Sequence, residues 1–519
     1  MEKSTLRQRL EALAEVDYVF PTSPTGRADR GERLEGIASA LEEKDFSTAY
    51  ELSYLDAREV MRRDVRVQDA GLARILEVDG AAEQLAAFAR AGYNFFFTDA
   101  GYASETLEQR RSAGGNGAVK RVLSSENSIL LETQRLIVGF ADGVGENVVR
   151  DVLDKFQLFS LRQFAYERES HQVLAEKASA TEISLELLKL DVVDYAEPDF
   201  IEYVGTRSLT TDLLSSGQWH HQTLGLDTVW PSETGDGVRI AIVDNGFEFS
   251  HPALALEIPG TGWFRPTPDG DDAIFVAGTT GMPVGSHGTA CVGMAAGVPE
   301  PPRRGVAFGT NVRAIACLPD QIGTQLTLAR ALAVAAQPMT ESLEAAGADV
   351  IACSLGPSSS FRWQMRRILS DAIDFVTTRS KDGRGIPLFW AVTNGNYPIS
   401  GDEVSSHPRV IAIGRSTRAD TDDGSGFGPE LDFLAPGVDV MLPTTPGRYR
   451  AMTGTSYACP CAAAVAAIAL QRRPGLTAEE VRNVMRDSCC KVGNLPYTSG
   501  RNDYFGFGRV DAAALMAAL

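Results

Sequence analysis

Hydrophobic and polar positions change their rhythm along this chain. From Val238 onward, short β-branched runs recur: Val238-Arg239-Ile240-Ala241-Ile242-Val243, Val312 to Ala316, Val350-Ile351-Ala352-Cys353, Pro387 to Val392 and Val410-Ile411-Ala412-Ile413. Helical patterns separate them. Such alternation predicts a doubly wound, mostly parallel α/β sheet over residues 217–519. In sheets of that kind the working residues gather at the carboxyl ends of the strands.

Upstream, residues 119–205 follow another order. Arg135 to Phe140 predicts a strand, and Glu146 to Phe156 a helix with Val148, Val149, Val152, Leu153 and Phe156 on one face. Gln163 to Arg168 and His171 to Glu176 read as strands, Glu182 to Leu190 as a helix, and Val192 to Phe200 as a last strand. That βαββαβ order predicts a ferredoxin-like α+β domain. Residues 1–118 are expected to form a further small N-terminal domain, with apolar runs such as Tyr93 to Phe97 and a flexible break over Ser112 to Gly117. They contain no Cys or His, which removes the commonest nucleophiles, bases and metal ligands, so a regulatory role with its own partner is expected there. Residues 206–216 are rich in Ser and Thr and read as a linker.

Composition narrows the function classes. A net charge of −19 without a basic stripe argues against a nucleic-acid partner. The longest apolar run, Ala462 to Leu470, is about half of the ~18 residues a membrane span needs. The charged start, MEKSTLRQRLEALAEV, lacks the apolar stretch of a secretory signal, so a cytoplasmic protein is expected. Seven cysteines include Cys459 with Cys461 and the adjacent Cys489 and Cys490, neither of which has zinc-knuckle spacing; no metal site is expected of them.

Three residues carry candidate chemistry. Asp244 ends an apolar run before Asn245-Gly246, His287 sits in Gly285-Ser286-His287-Gly288-Thr289-Ala290, and Ser456 in Gly454-Thr455-Ser456-Tyr457-Ala458-Cys459-Pro460. Alone, each has an ordinary role: a turn carboxylate, a packed imidazole, a helix N-cap. Together they supply the three parts of an activated nucleophile, since a hydroxyl needs an imidazole to take its proton and the imidazole needs a carboxylate to fix its tautomer. The chain order Asp, His, Ser separates the set from chymotrypsin-like and α/β-hydrolase enzymes, and Ala458 replaces the second glycine that an α/β-hydrolase nucleophile elbow requires.

These blocks resemble the three signature motifs of the subtilases, with support from Ser250-His251-Pro252, Gly305-Val306-Ala307, Ala348 to Ile351, Leu434-Ala435-Pro436-Gly437 and Gly506 to Asp511. The resemblance implies a serine endopeptidase acting on protein or peptide substrates through an acyl-enzyme. It implies Asn394 as the side-chain oxyanion donor, with Asn396 as rival because Thr393 stands where the family has glycine. It also implies Ser354, Leu355 and Gly356 as the strand along which substrate adds. A calcium ligand usual after Ser-His-Pro is replaced by Ala253, so no cofactor is expected to be required, and Asp269, Asp271 and Asp272 are the remaining acidic candidates. The segment ending in Tyr195-Ala196-Glu197-Pro198-Asp199 resembles a subtilase pro-domain, which implies an intramolecular inhibitor and self-cleavage between Glu202 and Gln218. The competing expectation is a catalytically silent peptide-binding module on the same scaffold.

Overall fold

The computed structural model describes residues 3–12, 14–21, 78, 80–91 and 93–96. From 120 onward it describes all but 126–127, 165–166, 177, 207–208, 211–217, 255–259, 268–270, 299–303, 338–346, 358–361 and 422–423. The Ser112 to Gly117 break, Phe97, Asp269 and residues 211–216 of the expected linker lie outside the described residues. Two compact units form. One comprises Met1–Tyr203, Pro266–Ile274 and Asp320–Leu326, and the other comprises Val204–Arg265, Phe275–Pro319 and Thr327–Leu519.

The first unit holds helices α1 (Lys3–Glu11), α2 (Ala81–Arg90), α3 (Glu146–Lys155) and α4 (Ala180–Leu187). Its strands are β1 (Ala14–Pro21), β2 (Tyr93–Phe96), β3 (Lys120–Ser124), β4 (Ile129–Phe140), β5 (Phe159–Phe164), β6 (Glu167–Leu174) and β7 (Val193–Tyr203). Strand β4 lies between β7 and β6, with β5 beyond β6, every pair antiparallel. The first residues of β4 pair instead with β3, which continues through β1 to β2. The described part of residues 1–118 therefore adds β1 and β2 to the sheet that residues 119–205 build, and one sheet runs across the boundary expected near residue 118. Phe88 and Ala87 of α2 pack with Tyr93, Val122, Ile129, Leu131 and Ile201 in one apolar cluster, which explains the shared sheet.

The strand expected over Gln163 to Arg168 begins at Phe159 instead. Two of its apolar residues are exposed, Phe159 at 55% and Leu161 at 41%, while Phe164 at its end is buried, so apolar character does not mark the strand's inner face there.

In the second unit the strands are β8 (Leu209–Thr210), β9 (Arg239–Asp244), β10 (Gly262–Pro266), β11 (Asn311–Ala316), β12 (Val350–Cys353), β13 (Leu388–Ala391), β14 (Ile411–Ser416), β15 (Phe433–Pro436), β16 (Val440–Thr444) and β17 (Arg448–Thr453). Seven strands of one sheet run in the order β10-β11-β9-β12-β13-β14-β15, and all these neighbours are parallel. From β9 the chain builds β10 and then β11 on one side, and β12 to β15 in order on the other. The end of β9 is therefore the switch point where a crevice opens.

Helix α5 (Ser286–Ala296) and helix α6 (Thr455–Arg472) carry the other motif blocks. Every residue of α6 from Thr455 to Leu470 is buried. A helix apolar on all sides must lie inside the protein, and its many alanines let neighbouring backbones approach closely. Among the described residues, no helix is long and apolar enough to cross a membrane.

One short helix, Trp219–Thr223, carries two adjacent imidazoles, His220 in the interior of this unit and His221 partly buried beside it. His220 is fully buried, and His221 lies edge-on to Trp230 with ring centroids 4.8 Å apart. Burial holds His220 well below the usual imidazole range and lowers His221 to about 4. Both rings are therefore neutral in the fold, and their contribution to stability is complete above pH 6.5 and lost as pH falls from there toward the folded value. For His221 the loss at pH 5 is about 2 kcal/mol, from ~1.4 kcal/mol per pH unit. Thermal melts of the Ser456→Ala chain at pH 7 and pH 5 are expected to show a drop that His221→Phe reduces. Equal drops in the two chains would remove this histidine from the explanation.

Candidate active site

Asp244 is the last residue of β9 and is fully buried. Asn245 N–H donates to its Oδ1 at 2.8 Å, and both carboxylate oxygens lie 2.9 Å from His287 Nδ1. Such a contact requires the proton on Nδ1, which leaves Nε2 as the acceptor. His287 Nε2 is buried and has no hydrogen-bond partner among the described residues. The approach of α5 to the end of β9 depends on Gly288, because a Cβ there would stand 2.3 Å from Gly246 O and 3.0 Å from Asp244 Cβ.

Ser456 is not the N-cap of its helix. Gly454 caps α6 without a side-chain bond, and Ser456 is the second helical residue, fully buried, with Oγ donating to Ser354 O at 3.4 Å. A bond from Ser456 Oγ to His287 Nε2 is not formed, and bonds of this kind are often long or turned aside without substrate. The two residues share a neighbourhood. Cys291, one turn after His287 on α5, has its Sγ 4.0 Å from His287 Nδ1 and donates to Ser456 O at 3.4 Å. The ring of Tyr457 lies 5.9 Å from the imidazole.

Pro460 explains why the Ser456 carbonyl is free for such bonds. Four residues further along the helix it has no N–H to offer, so Ser456 O accepts from Ser354 Oγ at 2.9 Å and from the Cys291 thiol instead. Burial, and then the charge of Asp244, push that thiol well above its usual range, so it stays protonated. Sequence reasoning passed over Cys291, though its four-residue spacing from His287 puts both on one helix face.

Asn394 follows β13 and is buried. Its Oδ1 accepts from Thr455 N–H at 3.0 Å, immediately before Ser456, and from Arg415 Nη1 at 2.6 Å, while its Nδ2 has no partner among the described residues. Asn396, its sequence rival, is exposed.

Ser354 and Leu355 are buried just beyond β12, and Gly356 has φ +151°, a backbone conformation that favours glycine. This stretch already has a strand against it. Leu355 forms an antiparallel bridge with Thr206, and Gly356 N–H donates to Gly205 O at 2.9 Å. Four residues later β8 pairs with β17, matching Leu209 with Thr453 and Thr210 with Met452.

Of the acidic residues considered for calcium, Asp272 does not fit it. Asp272 is buried within the first unit and accepts from Arg135 Nη1 at 2.8 Å and Arg162 Nη2 at 2.5 Å, so its charge is already met. Ala253 is fully buried in the apolar core of the second unit. Among the described residues Asp244, His287 and Cys291 bring ligand atoms within 4.8 Å of one another, but a thiol and an imidazole suit softer ions than calcium.

Comparison with known proteins places this geometry. A calcium-dependent protease of Nostoc sp. is 27% identical over 468 residues, covering 79% of this chain and 67% of the relative. A calcium-dependent protease of Trichormus variabilis matches with the same identity and coverage. These names overturn the expectation that no cofactor is required. The crystal structure of fervidolysin from Fervidobacterium pennivorans, a keratinolytic enzyme related to subtilisin, superposes with a TM-score of 0.58 at 18% identity, over 76% of this chain and 62% of that one, and so supports the α/β fold. The family model described as Subtilase family matches residues 235–508, just over half of the chain, and spans the Asp244, His287 and Ser456 blocks. The chain belongs to the subtilase family.

Proposed function

We propose that the chain is a serine endopeptidase that hydrolyses peptide bonds through an acyl-enzyme on Ser456. One observation carries this reading. The carboxylate of Asp244 meets His287 Nδ1 with both oxygens, which leaves Nε2 as the basic nitrogen in the neighbourhood of Ser456. Nε2 takes the Ser456 proton as Oγ attacks the scissile carbonyl, and the imidazolium then protonates the leaving amine. Water repeats the sequence in reverse to free the acid. The oxyanion formed on the way is met by Asn394 Nδ2 and the backbone N–H of Ser456. Substrate adds as an extended strand beside Ser354-Leu355-Gly356.

In this reading residues 119–205 act as an intramolecular pro-domain. Support comes from the strand order β7-β4-β6-β5, which is that of a split βαββαβ unit. Further support comes from the antiparallel bonds that Gly205 and Thr206 make where substrate would add. The chain would be made inhibited and would cut itself between Glu202 and Gln218, with residues 1–118 receiving a regulatory partner.

A fluorophosphonate probe tests the enzyme, and intact mass tests the processing. The wild-type chain is expected to label at Ser456 and to lose an N-terminal fragment ending between Glu202 and Gln218, and Ser456→Ala is expected to do neither. Absence of labelling in the wild type would favour a silent peptide-binding scaffold.

Calcium dependence is part of the proposal, on the strength of the two relatives that carry it in their names. No step is assigned to the ion. Calcium at ~100 times its dissociation constant adds about 3 kcal/mol to a protein that binds it only when folded. The melting temperature of Ser456→Ala is therefore expected to fall on addition of EGTA and to return with calcium but not with magnesium. An unchanged melt would remove calcium from the account.

A further inference from the structure

Arg415 is a charged residue in a strand whose other side chains are also buried. It is 3% exposed, and its side chain runs to Asn394, with Nη1 2.6 Å from Oδ1 and 3.4 Å from the carbonyl oxygen. Burying a guanidinium is costly unless its donors are used, so an arginine here needs a reason that an apolar residue could not supply. Gly437 makes room for it, since a Cβ at that position would stand 2.9 Å from Arg415 Cβ.

The reason lies in the two ends of the Asn394 amide. Its oxygen accepts from Arg415 Nη1 and from the Thr455 backbone N–H. Exchanging the ends would set an NH2 group against two donors, so these bonds fix the orientation of the amide. They leave Nδ2, with both its hydrogens, as the buried end without a partner among the described residues. The bond from Arg415 is charge-assisted, and drawing electron density toward Oδ1 makes the N–H groups at the other end better donors.

We propose that Arg415 is a positioning residue that locks the Asn394 amide with its NH2 group toward the developing oxyanion. The inference rests on Asn394 being the oxyanion donor, as proposed above. Arg415 touches no reacting atom. Its influence passes through Asn394, so removing it should slow the chemical step and spare ground-state binding.

The test is a double-mutant cycle on the full chain with a peptide p-nitroanilide, rates being normalised to the fluorophosphonate-titratable serine so that only folded enzyme counts. Arg415→Met is expected to lower kcat by about 10- to 100-fold with KM within about twofold, and Arg415→Lys to recover part of the loss. Asn394→Ala combined with Arg415→Met is expected to be no slower than Asn394→Ala alone. An unchanged kcat in Arg415→Met, or losses that multiply in the double variant, would overturn the proposal. A kcat that Asn394→Ala leaves untouched would instead overturn the oxyanion assignment beneath it. Should Arg415→Met not fold, Arg415→Lys carries the same cycle.

Discussion

Replacing Ser456 with alanine is expected to reduce kcat on a peptide amide by about 10⁶-fold with little change in KM, the scale the handled proton and the covalent step contribute together in this kind of triad. His287→Ala should lose a similar amount, and the double variant should lose no more than either, because in the proposed mechanism hydroxyl and imidazole act as one device. Steady-state rates on the purified full chain, with the variants expressed free of contaminating protease, decide it. A loss below about tenfold in Ser456→Ala would mean that the hydrolysis comes from elsewhere.

Asp244→Asn is expected to cost about 10⁴-fold in kcat while leaving the fold intact. The direction follows from two bonds. Asn245 N–H donates to Oδ1 of residue 244 at 2.8 Å, so an asparagine there would keep its oxygen toward that donor and turn its NH2 to His287 Nδ1. Nδ1 must then accept, the ring proton moves to Nε2, and the imidazole no longer has a lone pair to take the Ser456 proton. Nitrogen NMR of the imidazole should report the exchanged tautomer alongside the kinetic loss. An unchanged tautomer with full activity would show that the carboxylate plays no part in orienting the ring.

The parts of the site that were legible in the sequence are those held in short motifs. Asp244, His287 and Ser456 each stand where a strand ends or a helix begins, and Gly288 and Pro460 stand within the same blocks because backbone approach and a missing N–H are needed there. Arg415 was illegible for the opposite reason. Its partner Asn394 is 21 residues away, in the turn beyond another strand, and nothing in Ile411-Ala412-Ile413-Gly414-Arg415-Ser416 distinguishes a buried arginine from one at a strand's solvent end. Likewise, β1 and β2 read as parts of a separate domain because pairing with β3 and with each other leaves no local mark. Thr206 reads as the start of a polar linker and Gly205 as the end of the preceding domain, since main-chain bonds to Leu355 and Gly356 place no demand on side-chain polarity.

The composition of the first unit bears on how activation would end. Strand β7 is flanked by Ile322–Gly323, matching Tyr203 with Ile322 and Glu202 with Gly323, and Gln325 Nε2 donates to Glu202 Oε1 at 2.7 Å. Asp272 is gripped by Arg135 and Arg162. All of these contacts join residues before the 211–217 stretch to residues after it. A single nick in that stretch would therefore sever the backbone without freeing the severed piece, and the pace of activation would be set by how slowly the strand edge and the buried ion pairs peel apart.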